Sequence, residues 1–367
     1  MPLGPFLVTP RLDPKPWGGS RLAGLGFAVE GREPLGEVVM TATANRVVGG
    51  PLNGRTLGEL IAADPVALVG RRGQAATRGH PLFPLLVKLI DAAQPLSIQV
   101  HPDDERGAAI DSVGKTEAWH VLAADPDATY FAGLVEGAGI ADLEAAVGVG
   151  PGSVARHVRR LPARAGETVF FPAGTLHALG AGAMLYELQQ ASEITYRLDD
   201  WGRVGADGHP RPMHVAESLE AIDPTIRPEI IPPIRLDAGA ARRDLLVACH
   251  YFALDRFRLD AGAEVVLRAD DTAQTVTVTR GVVQVRSPGA SGTPLTVRIG
   301  QTAIVPASVA AVDVRADGAA EVLRAWVPDL KAEVVAPALA IGVGRDALAA
   351  LSAPLTDVAD AMRRLGG

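Results

Sequence analysis

The stretch between Gly166 and Gly180, G-E-T-V-F-F-P-A-G-T-L-H-A-L-G, constrains the fold of this chain most. Its β-branched and aromatic run over residues 168–171 predicts a buried strand. Pro172-Ala173-Gly174 ends that strand, because proline offers no ladder donor and glycine permits a tight bend. His177 follows the bend directly. The pattern predicts a histidine held rigidly beyond a strand, although a capped hairpin with a surface histidine shares this signature.

Two strands with polar faces are predicted upstream of this stretch. In residues 95–102, strict alternation places three polar side chains on one face: Ser97, Gln99 and His101. In residues 115–122, Lys115, Glu117 and Trp119 share a face. A buried glutamate is costly unless it is paired or binds a metal. The alternative is a solvated surface pair of Lys115 and Glu117.

Four of these side chains form a candidate metal site: Gln99, His101, Glu117 and His177. They supply an amide oxygen, two imidazoles and a carboxylate from three strand segments. Two imidazoles with oxygen ligands suit Zn²⁺ and, less strongly, Mn²⁺, Fe²⁺ or Co²⁺. The remaining histidines lack such partners and are interpreted as surface or packing residues.

Composition predicts a globular chain that is large enough for two cores. Of its 367 residues, 48% are hydrophobic and 21% are charged, and the net charge is −7. No global basic field favours nucleic acid or an anionic membrane, although a local pair of cations suffices for a phosphorylated small substrate. The single Cys249 excludes an internal disulfide framework and a cysteine-rich zinc site.

The sequence also predicts a compartment. The N-terminal Met1-Pro2-Leu3-Gly4-Pro5 has no basic region followed by an apolar core, so no signal peptide is predicted. No uncharged apolar run of about 18 residues occurs, so no transmembrane helix is expected. The cytoplasm is therefore the predicted location.

The second half contains an echo of the opening stretch. Residues 300–311 align with residues 166–177 and keep the Gly-x5-Pro-Ala core, but Ala311 stands where the histidine would be. Such an echo indicates a duplicated fold. It also predicts that the second copy has no metal site of this type. Regular short strands with glycine and proline between them indicate a sandwich or barrel.

These patterns predict four segments. Residues 1–205 form the metal-binding domain, with N-terminal strands and a short helical insertion. Residues 206–240 are a connector with a helix, and residues 241–330 form the second, metal-free domain. Residues 331–367 are an Ala-rich helical tail.

Four motifs in this order resemble type I mannose-6-phosphate isomerase in its short bacterial form: P-L-S-I-Q-V-H-P-D-D, G-K-T-E-A-W, F-P-A-G-T-L-H-A-L and E-L-Q-Q-A-S-E-I-T-Y-R. The G-x5-P-x-G-x2-H spacing is similar to the second motif of a cupin barrel. The resemblance implies a mainly β fold with two cupin-type (jelly-roll) β-barrel domains and a few helices. It also implies one Zn²⁺ per chain in the first barrel. The implied reaction interconverts mannose 6-phosphate and fructose 6-phosphate through an enediol.

The resemblance assigns roles residue by residue. It implies Gln99, His101, Glu117 and His177 as metal ligands and Arg197 as the active-site arginine. Ser97 and Arg203 match positions associated with the phosphate, and Lys115 matches a candidate acid/base. The chain departs from the family in reading Gly36-Glu37-Val38-Val39 where a tryptophan is frequent, and in having Glu193 where aspartate is usual. Neither departure touches a ligand.

The sequence leaves three points open. Lys115, Glu187 and Glu193 are all candidates for carrying the proton. Lys88 is a further cation that serves either the phosphate or an ion pair. The quaternary structure is a monomer or a homodimer.

Two other classes of function are alternatives. One is another metal-dependent cupin enzyme, such as an iron dioxygenase, and the other is a non-catalytic cupin that binds sugar phosphates. The first has no need of Arg197 and Arg203, and the second would not require the full ligand set with Lys115. A phosphorylated hexose is the expected partner, without nucleic acid or membrane.

Overall fold

The computed structural model describes residues 3–28, 31, 33–205, 208–239, 241–289 and 293–365. The chain is mainly β-structure, as predicted. The strands that precede residue 205 are β1 (Phe6–Thr9), β2 (Arg11–Pro14), β3 (Leu35–Thr41), β4 (Arg46–Val48), β5 (Leu86–Ala92), β6 (Ile98–Val100), β7 (Glu117–Ala124), β8 (Thr129–Leu134), β9 (Val158–Pro162), β10 (Thr168–Phe171), β11 (His177–Leu179), β12 (Ala183–Gln189) and β13 (Tyr196–Asp199).

The second half continues the strand pattern. Its strands are β14 (Ile234–Ala238), β15 (Ala241–Ala248), β16 (Ala253–Leu259), β17 (Glu264–Arg268), β18 (Gln274–Arg280), β19 (Val282–Arg286), β20 (Leu295–Arg298), β21 (Thr302–Val305), β22 (Ala311–Ala316) and β23 (Ala320–Trp326).

The helices are short and lie between or after the strands. The α-helices are α1 (Leu57–Ala63), α2 (Pro65–Ala76), α3 (Asp104–Ala108), α4 (Ile140–Val149), α5 (Val215–Ala221), α6 (Ala336–Ala340), α7 (Arg345–Ala350) and α8 (Asp357–Arg363). Single turns of 3₁₀-helix occur at Arg21–Leu25, Gly50–Leu52 and Ser153–His157, and a π-helical turn at Leu330–Val335 precedes α6. No helix of the described ranges is long and apolar enough to cross a membrane.

Two sandwiches account for the strands. The first packs a six-stranded sheet, ordered β10-β7-β12-β5-β3-β2, on a five-stranded sheet, ordered β13-β6-β11-β8-β9. Its buried core includes Trp119, Tyr130, Phe171 and Leu185. The second packs an eight-stranded sheet, ordered β14-β15-β16-β23-β18-β21-β1-β4, on a four-stranded sheet, ordered β17-β22-β19-β20, around an aliphatic core that includes Val276 and Val314.

The two sandwiches repeat one topology. Starting from β10 and from β21, the larger sheets run in the same order, and β17-β22-β19-β20 corresponds to β6-β11-β8-β9. The predicted echo fits this correspondence, because β10 and β21 occupy aligned residues and β11 and β22 begin at His177 and Ala311. Gly166 and Gly300, which precede β10 and β21, both have positive φ, 90° and 76°, which favours glycine.

The structure changes several predicted elements. The N-terminal β1 and β4 extend the sheet of the second sandwich, because β1 pairs with β21. The predicted connector contains a strand, β14, which pairs with β15. The polarity of residues 71–79 predicts a loop, but helix α2 kinks at Gly70 (φ 72°) and continues to Ala76. Residues 206, 207 and 240 of the connector and residues 1, 2, 366 and 367 at the ends lie outside the described ranges, and the four predicted segments stay a prediction.

Local signals identified other elements correctly. Thr56 caps α1 with a reciprocal capping box to Glu59, as its position before the helix predicts. In the C-terminal tail the sequence pattern predicts helices over residues 346–351 and 358–365, and these form as α7 and α8. Their apolar side chains, Leu348, Val358 and Met362, are buried in the core shared with β15 and β16.

Candidate metal centre and catalytic cavity

Three strand ends bring the candidate ligands together inside the first sandwich. His101 follows β6, Glu117 begins β7 and His177 begins β11. In the strand register, His177 lies opposite Gln99. The ligand atoms of His101, Glu117 and His177 all lie within 4.8 Å of one another, and the three residues are buried.

Each histidine is oriented by a backbone carbonyl. The Nδ1 atom of His101 lies 2.8 Å from the carbonyl oxygen of Ile194, and that of His177 lies 2.9 Å from the carbonyl oxygen of Thr175. A carbonyl oxygen only accepts, so Nδ1 carries the proton in both rings. The Nε2 lone pairs are therefore available to a metal ion, as in many metal-binding histidines.

Two buried atoms of this cluster lack a partner. Glu117 Oε1 and His177 Nε2 lie 3.1 Å apart without a hydrogen bond. Buried polar atoms are nearly always satisfied, so such a pair needs an explanation. A divalent cation satisfies both atoms and fits a donor set of two imidazoles and a carboxylate.

Gln99 lies beside this cluster. Its Nε2 is 3.5 Å from His101 Nε2, and its Oε1 accepts a hydrogen bond of 3.1 Å from Ser97 Oγ. Rotating the amide by 180° would present the oxygen to the metal position. The role of Gln99 as a fourth ligand stays a prediction.

The Lys115 ammonium group contacts the same donors. It donates to Glu117 Oε2 at 2.8 Å and lies 2.9 Å from His101 Nε2. Burial by itself raises the pKa of Glu117, but Lys115, His101 and His177 together outweigh it and hold this pKa well below its usual range. Burial and the Lys115 charge also lower the pKa of His101 to about 3, so this ring is neutral, as a metal ligand must be.

A cavity of about 330 Å³ lies next to this cluster. Seven of the residues predicted from sequence line it: Lys88, Ser97, Gln99, Lys115, Glu187, Glu193 and Arg197. Because Gln99 and Lys115 line the cavity and also contact His101, they join it to the metal cluster.

One wall of the cavity is a row of charges across neighbouring strands. Lys88 lies directly opposite Glu187, which lies opposite Trp119. The Trp119 indole donates to Glu187 Oε2 at 2.9 Å, and Lys88 Nζ lies 3.7 Å from Glu37 and 3.8 Å from Glu187. Burial and the negative charge of Glu117 raise the pKa of Glu187. Despite its burial, the two carboxylates raise the pKa of Lys88, which favours the ion-pair interpretation of this lysine.

Arg197 stands next to the metal cluster. It lies opposite Gln99 in the register of β13 and β6. Its Nη1 donates to the carbonyl oxygen of Pro212 at 2.7 Å, while its buried Nε has no partner. Within the described residues no carboxylate forms an ion pair with Arg197. Its guanidinium is therefore available for charge on a bound molecule.

Glu193 differs in environment from Glu187. The sequence pattern of residues 193–198 predicts a strand, but β13 begins only at Tyr196, so Glu193 lies on the preceding loop. Its side chain is 55% exposed and accepts a 3.0 Å hydrogen bond from Arg11 Nη2. Arg11 and Glu37 also line the cavity, and no sequence motif singled them out.

Arg203 does not line this cavity. After β13 the chain reverses through Trp201 and Gly202, both left-handed with φ of 59° and 70°. Arg203 then lines a neighbouring, largely apolar cavity, with its Nη1 on Asp200 at 3.1 Å and its Nη2 on the carbonyl oxygen of Pro95. Arg203, which the resemblance associates with the phosphate, thus lies outside the lining of the cavity beside the metal cluster, and its role in substrate binding stays a prediction. Arg211, which sequence reasoning missed, lines both cavities.

Comparison with known proteins bears on this site. Residues 6–129 match the family described as phosphomannose isomerase type I, catalytic domain. The mannose-6-phosphate isomerase ManA of Bacillus subtilis is 30% identical over 265 residues, which cover 71% of this chain and 81% of the relative. The chain belongs to the type I phosphomannose isomerase family. Streptococcus mutans has a mannose-6-phosphate isomerase that is 30% identical over 267 residues, covering 71% of this chain and 80% of that protein.

The solved structure of a family member has the same overall fold as this chain. The crystal structure of the mannose 6-phosphate isomerase from Bacillus subtilis matches with a TM-score of 0.76 at 26% identity, covering 88% of this chain and 99% of that one. The predicted family and fold class are thus confirmed. Type I phosphomannose isomerases are metal-dependent isomerases, so a cupin dioxygenase and a non-catalytic cupin are not favoured.

Proposed function

We propose that this chain interconverts mannose 6-phosphate and fructose 6-phosphate, with one zinc ion held by Gln99, His101, Glu117 and His177. One observation carries the proposal. The buried atoms Glu117 Oε1 and His177 Nε2 lack a partner, and they lie next to a cavity that is lined by Lys115, Glu187 and Arg197. When bound, zinc supplies a Lewis acid that polarises the carbonyl and hydroxyl oxygens of the sugar.

The reaction moves one hydrogen from C2 to C1 and one from O2 to O1, so the composition of the sugar is unchanged. Negative charge develops on these oxygens in the enediol stage. Arg197 provides a fixed cation beside the metal ligands, and a guanidinium in a water-poor site stabilises such charge strongly. Its lack of a carboxylate partner among the described residues leaves it free for this role.

The contacts support Glu187 and Lys115 as the proton-carrying groups more than Glu193. A carboxyl group with a raised pKa holds and releases a proton closer to neutral pH. Glu187 meets this condition, because it is buried near Glu117. Glu193 is more exposed and is paired with Arg11. Lys115 has its ammonium group against the metal ligands, where it can protonate a substrate oxygen.

The remaining predicted binding residues are given narrower roles. Ser97 lines the cavity and contacts Gln99, so it can orient both this amide and the substrate. Lys88 is held between Glu37 and Glu187, and we assign it to keeping Glu187 in position.

The test combines metal analysis with a coupled assay on the full chain. Mannose 6-phosphate should be converted, chelation should abolish the activity, and zinc should restore it. His177→Asn should lose both bound metal and activity. His250→Asn, which changes an exposed histidine beside α8, is the matched control and should keep both. Full activity after complete metal removal, or stoichiometric iron with oxygen uptake, would contradict the proposal.

A further inference from the structure

We infer that Arg211, and not Arg203, binds the phosphate group of the substrate, with Asp200 as the residue that positions it. This inference rests on the proposed function, since it concerns the same cavity. It assigns the end of the cavity at Arg197 and Arg211 to the phosphate.

The local charge supports an anion at this end. The Asp200 carboxylate accepts from both Arg203 and Arg211, and Arg197 experiences the charges of all three groups. The guanidinium groups of Arg197, Arg203 and Arg211 lie near the single carboxylate of Asp200, so two positive charges are in excess. A phosphate monoester is a dianion near neutral pH, and it binds arginine through charge-assisted hydrogen bonds.

Accessibility separates the two arginines. The Arg203 side chain is 12% exposed, and its Nη1 and Nη2 are bound to Asp200 and to the Pro95 carbonyl oxygen. The Arg211 side chain is 31% exposed and lines the cavity together with Ser97 and Arg197. Its Nε and Nη2 both bind Asp200, so the guanidinium plane is fixed. Across the described ranges, Arg211 Nη1 has no protein partner.

The other cations of the cavity are already neutralised. Arg11 is paired with Asp13 and Glu193. Lys15 and Lys88 share Glu37, and Lys115 is bound to Glu117. Binding a phosphate at any of them would compete with an existing carboxylate. The competition is smaller at the Arg197 and Arg211 end. Among the described residues no carboxylate forms an ion pair with Arg197, and Arg211 keeps its Nη1 without a protein partner while its Nε and Nη2 bind Asp200.

The experiment compares Arg211→Met with Arg203→Met as a matched pair, each replacing a guanidinium bound to Asp200. We expect Arg211→Met to raise KM for mannose 6-phosphate about 10- to 100-fold, the loss of one to two charge-assisted hydrogen bonds. Competitive inhibition by inorganic phosphate should weaken by a similar factor. The kcat value should fall by a smaller factor than KM rises. Arg203→Met should change KM less than about threefold, and Arg211→Lys should recover part of the loss.

Binding of inorganic phosphate measured by calorimetry separates this inference from the proposed function. If the wild-type chain binds phosphate and Arg211→Met does not, the inference holds whether or not isomerisation is observed. The inference is overturned if the wild-type chain binds no phosphate, if Arg203→Met weakens binding more than Arg211→Met, or if both variants bind like the wild type. Circular dichroism verifies folding, and Arg211→Gln replaces Arg211→Met if the latter does not fold.

Discussion

Glu187 on β12 and Arg324 on β23 occupy equivalent positions in the two sandwiches and carry opposite charges. Glu187 lies opposite Lys88, and Arg324 lies opposite Asp255. The next strand extends the relationship, because Glu37 in the first sandwich corresponds to Arg243 in the second. In the first sandwich, the Lys88 cation lies between the carboxylates of Glu37 and Glu187. At the equivalent place in the second sandwich, the Asp255 carboxylate lies between the cations of Arg243 and Arg324.

Because of this inversion of charge, the second sandwich contains a buried cation, the guanidinium group of Arg324. Gln274, at the position equivalent to Glu117, accepts a 2.7 Å hydrogen bond from Arg324 Nε. The guanidinium also lies 4.0 Å from the ring centroid of Trp326, a cation–π contact. Ala311 replaces the histidine as well, and the absence of a metal from this half stays a prediction.

We first predict that Arg324→Met destabilises the fold. Burial lowers the pKa of Arg324 to about 10, which still leaves it charged at neutral pH. Its loss leaves the buried Asp255 carboxylate with Arg243 as its remaining ion-pair partner among the described residues. Breaking such a buried pair costs about 3–5 kcal/mol in the free energy of unfolding. Urea denaturation measures this change.

The controls for Arg324 are a second site and a double variant. Arg315→Met, at an exposed position on β22, should change the free energy of unfolding by less than about 0.5 kcal/mol. Adding Asp255→Asn to Arg324→Met should recover part of the loss. If Arg324→Met is as stable as the wild type, the ion pair of Arg324 and Asp255 contributes nothing to the free energy of unfolding. The kcat of the folded variants should equal that of the wild type.

A second prediction concerns the proton carrier. Glu187→Gln keeps the shape of the side chain but removes the acid/base group, so kcat should fall about 10²–10⁴-fold with a smaller change in KM. Glu193→Gln should lower kcat by less than about tenfold, because Glu193 is exposed and paired with Arg11. Steady-state kinetics on both variants, with matched metal content, decides between them. The reverse order of effects would transfer the role to Glu193.

A third prediction separates turnover from binding at Arg197. Removing a preorganised charge donor from an active site lowers kcat by about 10²–10³-fold. Arg197→Ala should therefore lower kcat by this factor, and KM should rise less. The comparison is with Arg211→Met, for which KM should rise by a larger factor than kcat falls. Identical kinetic profiles for the two variants would contradict the separate roles.

A fourth prediction concerns acid stability. Asp244 is buried and binds Arg256 at 2.8 Å and Arg235 at 3.0 Å. Burial by itself raises the pKa of Asp244, but the two guanidinium groups outweigh it and lower this pKa in the folded state. The ionised carboxylate therefore stabilises the fold above its unfolded-state pKa of about 4, and this contribution disappears as the pH falls through the lower, folded-state value.

The measurement is the free energy of unfolding of Asp244→Asn and of the wild type between pH 7 and pH 2. At pH 7 the variant should be less stable by about 1–3 kcal/mol, and the difference should shrink below about pH 4. Asp260→Asn, near the same surface and exposed, should show no such trend. A difference that stays constant down to pH 2 would rule out ionisation as its source.

Local sequence patterns predicted much of the fold and the metal cluster. Alternation identified the polar face of residues 97–101, and the capping signal placed α1 at its observed start, because both depend only on near neighbours in the chain. The aligned echo located β21 and the start of β22, since one backbone turn needs the same glycine and proline in both copies. His101, Glu117 and His177 could be grouped before any geometry was known.

Only the tertiary structure decided which charges line the cavity. Arg203 and Arg211 are both basic residues on a loop, and nothing local to either shows that one binds Pro95 while the other lines the cavity. The partners Asp200 and Arg197 arrive from β13 and the turn after it, so the excess charge exists only once the chain has folded. A sequence determines which chemical groups are present and which face of a strand they share. The pairing that neutralises some charges and leaves others free depends on contacts between distant segments.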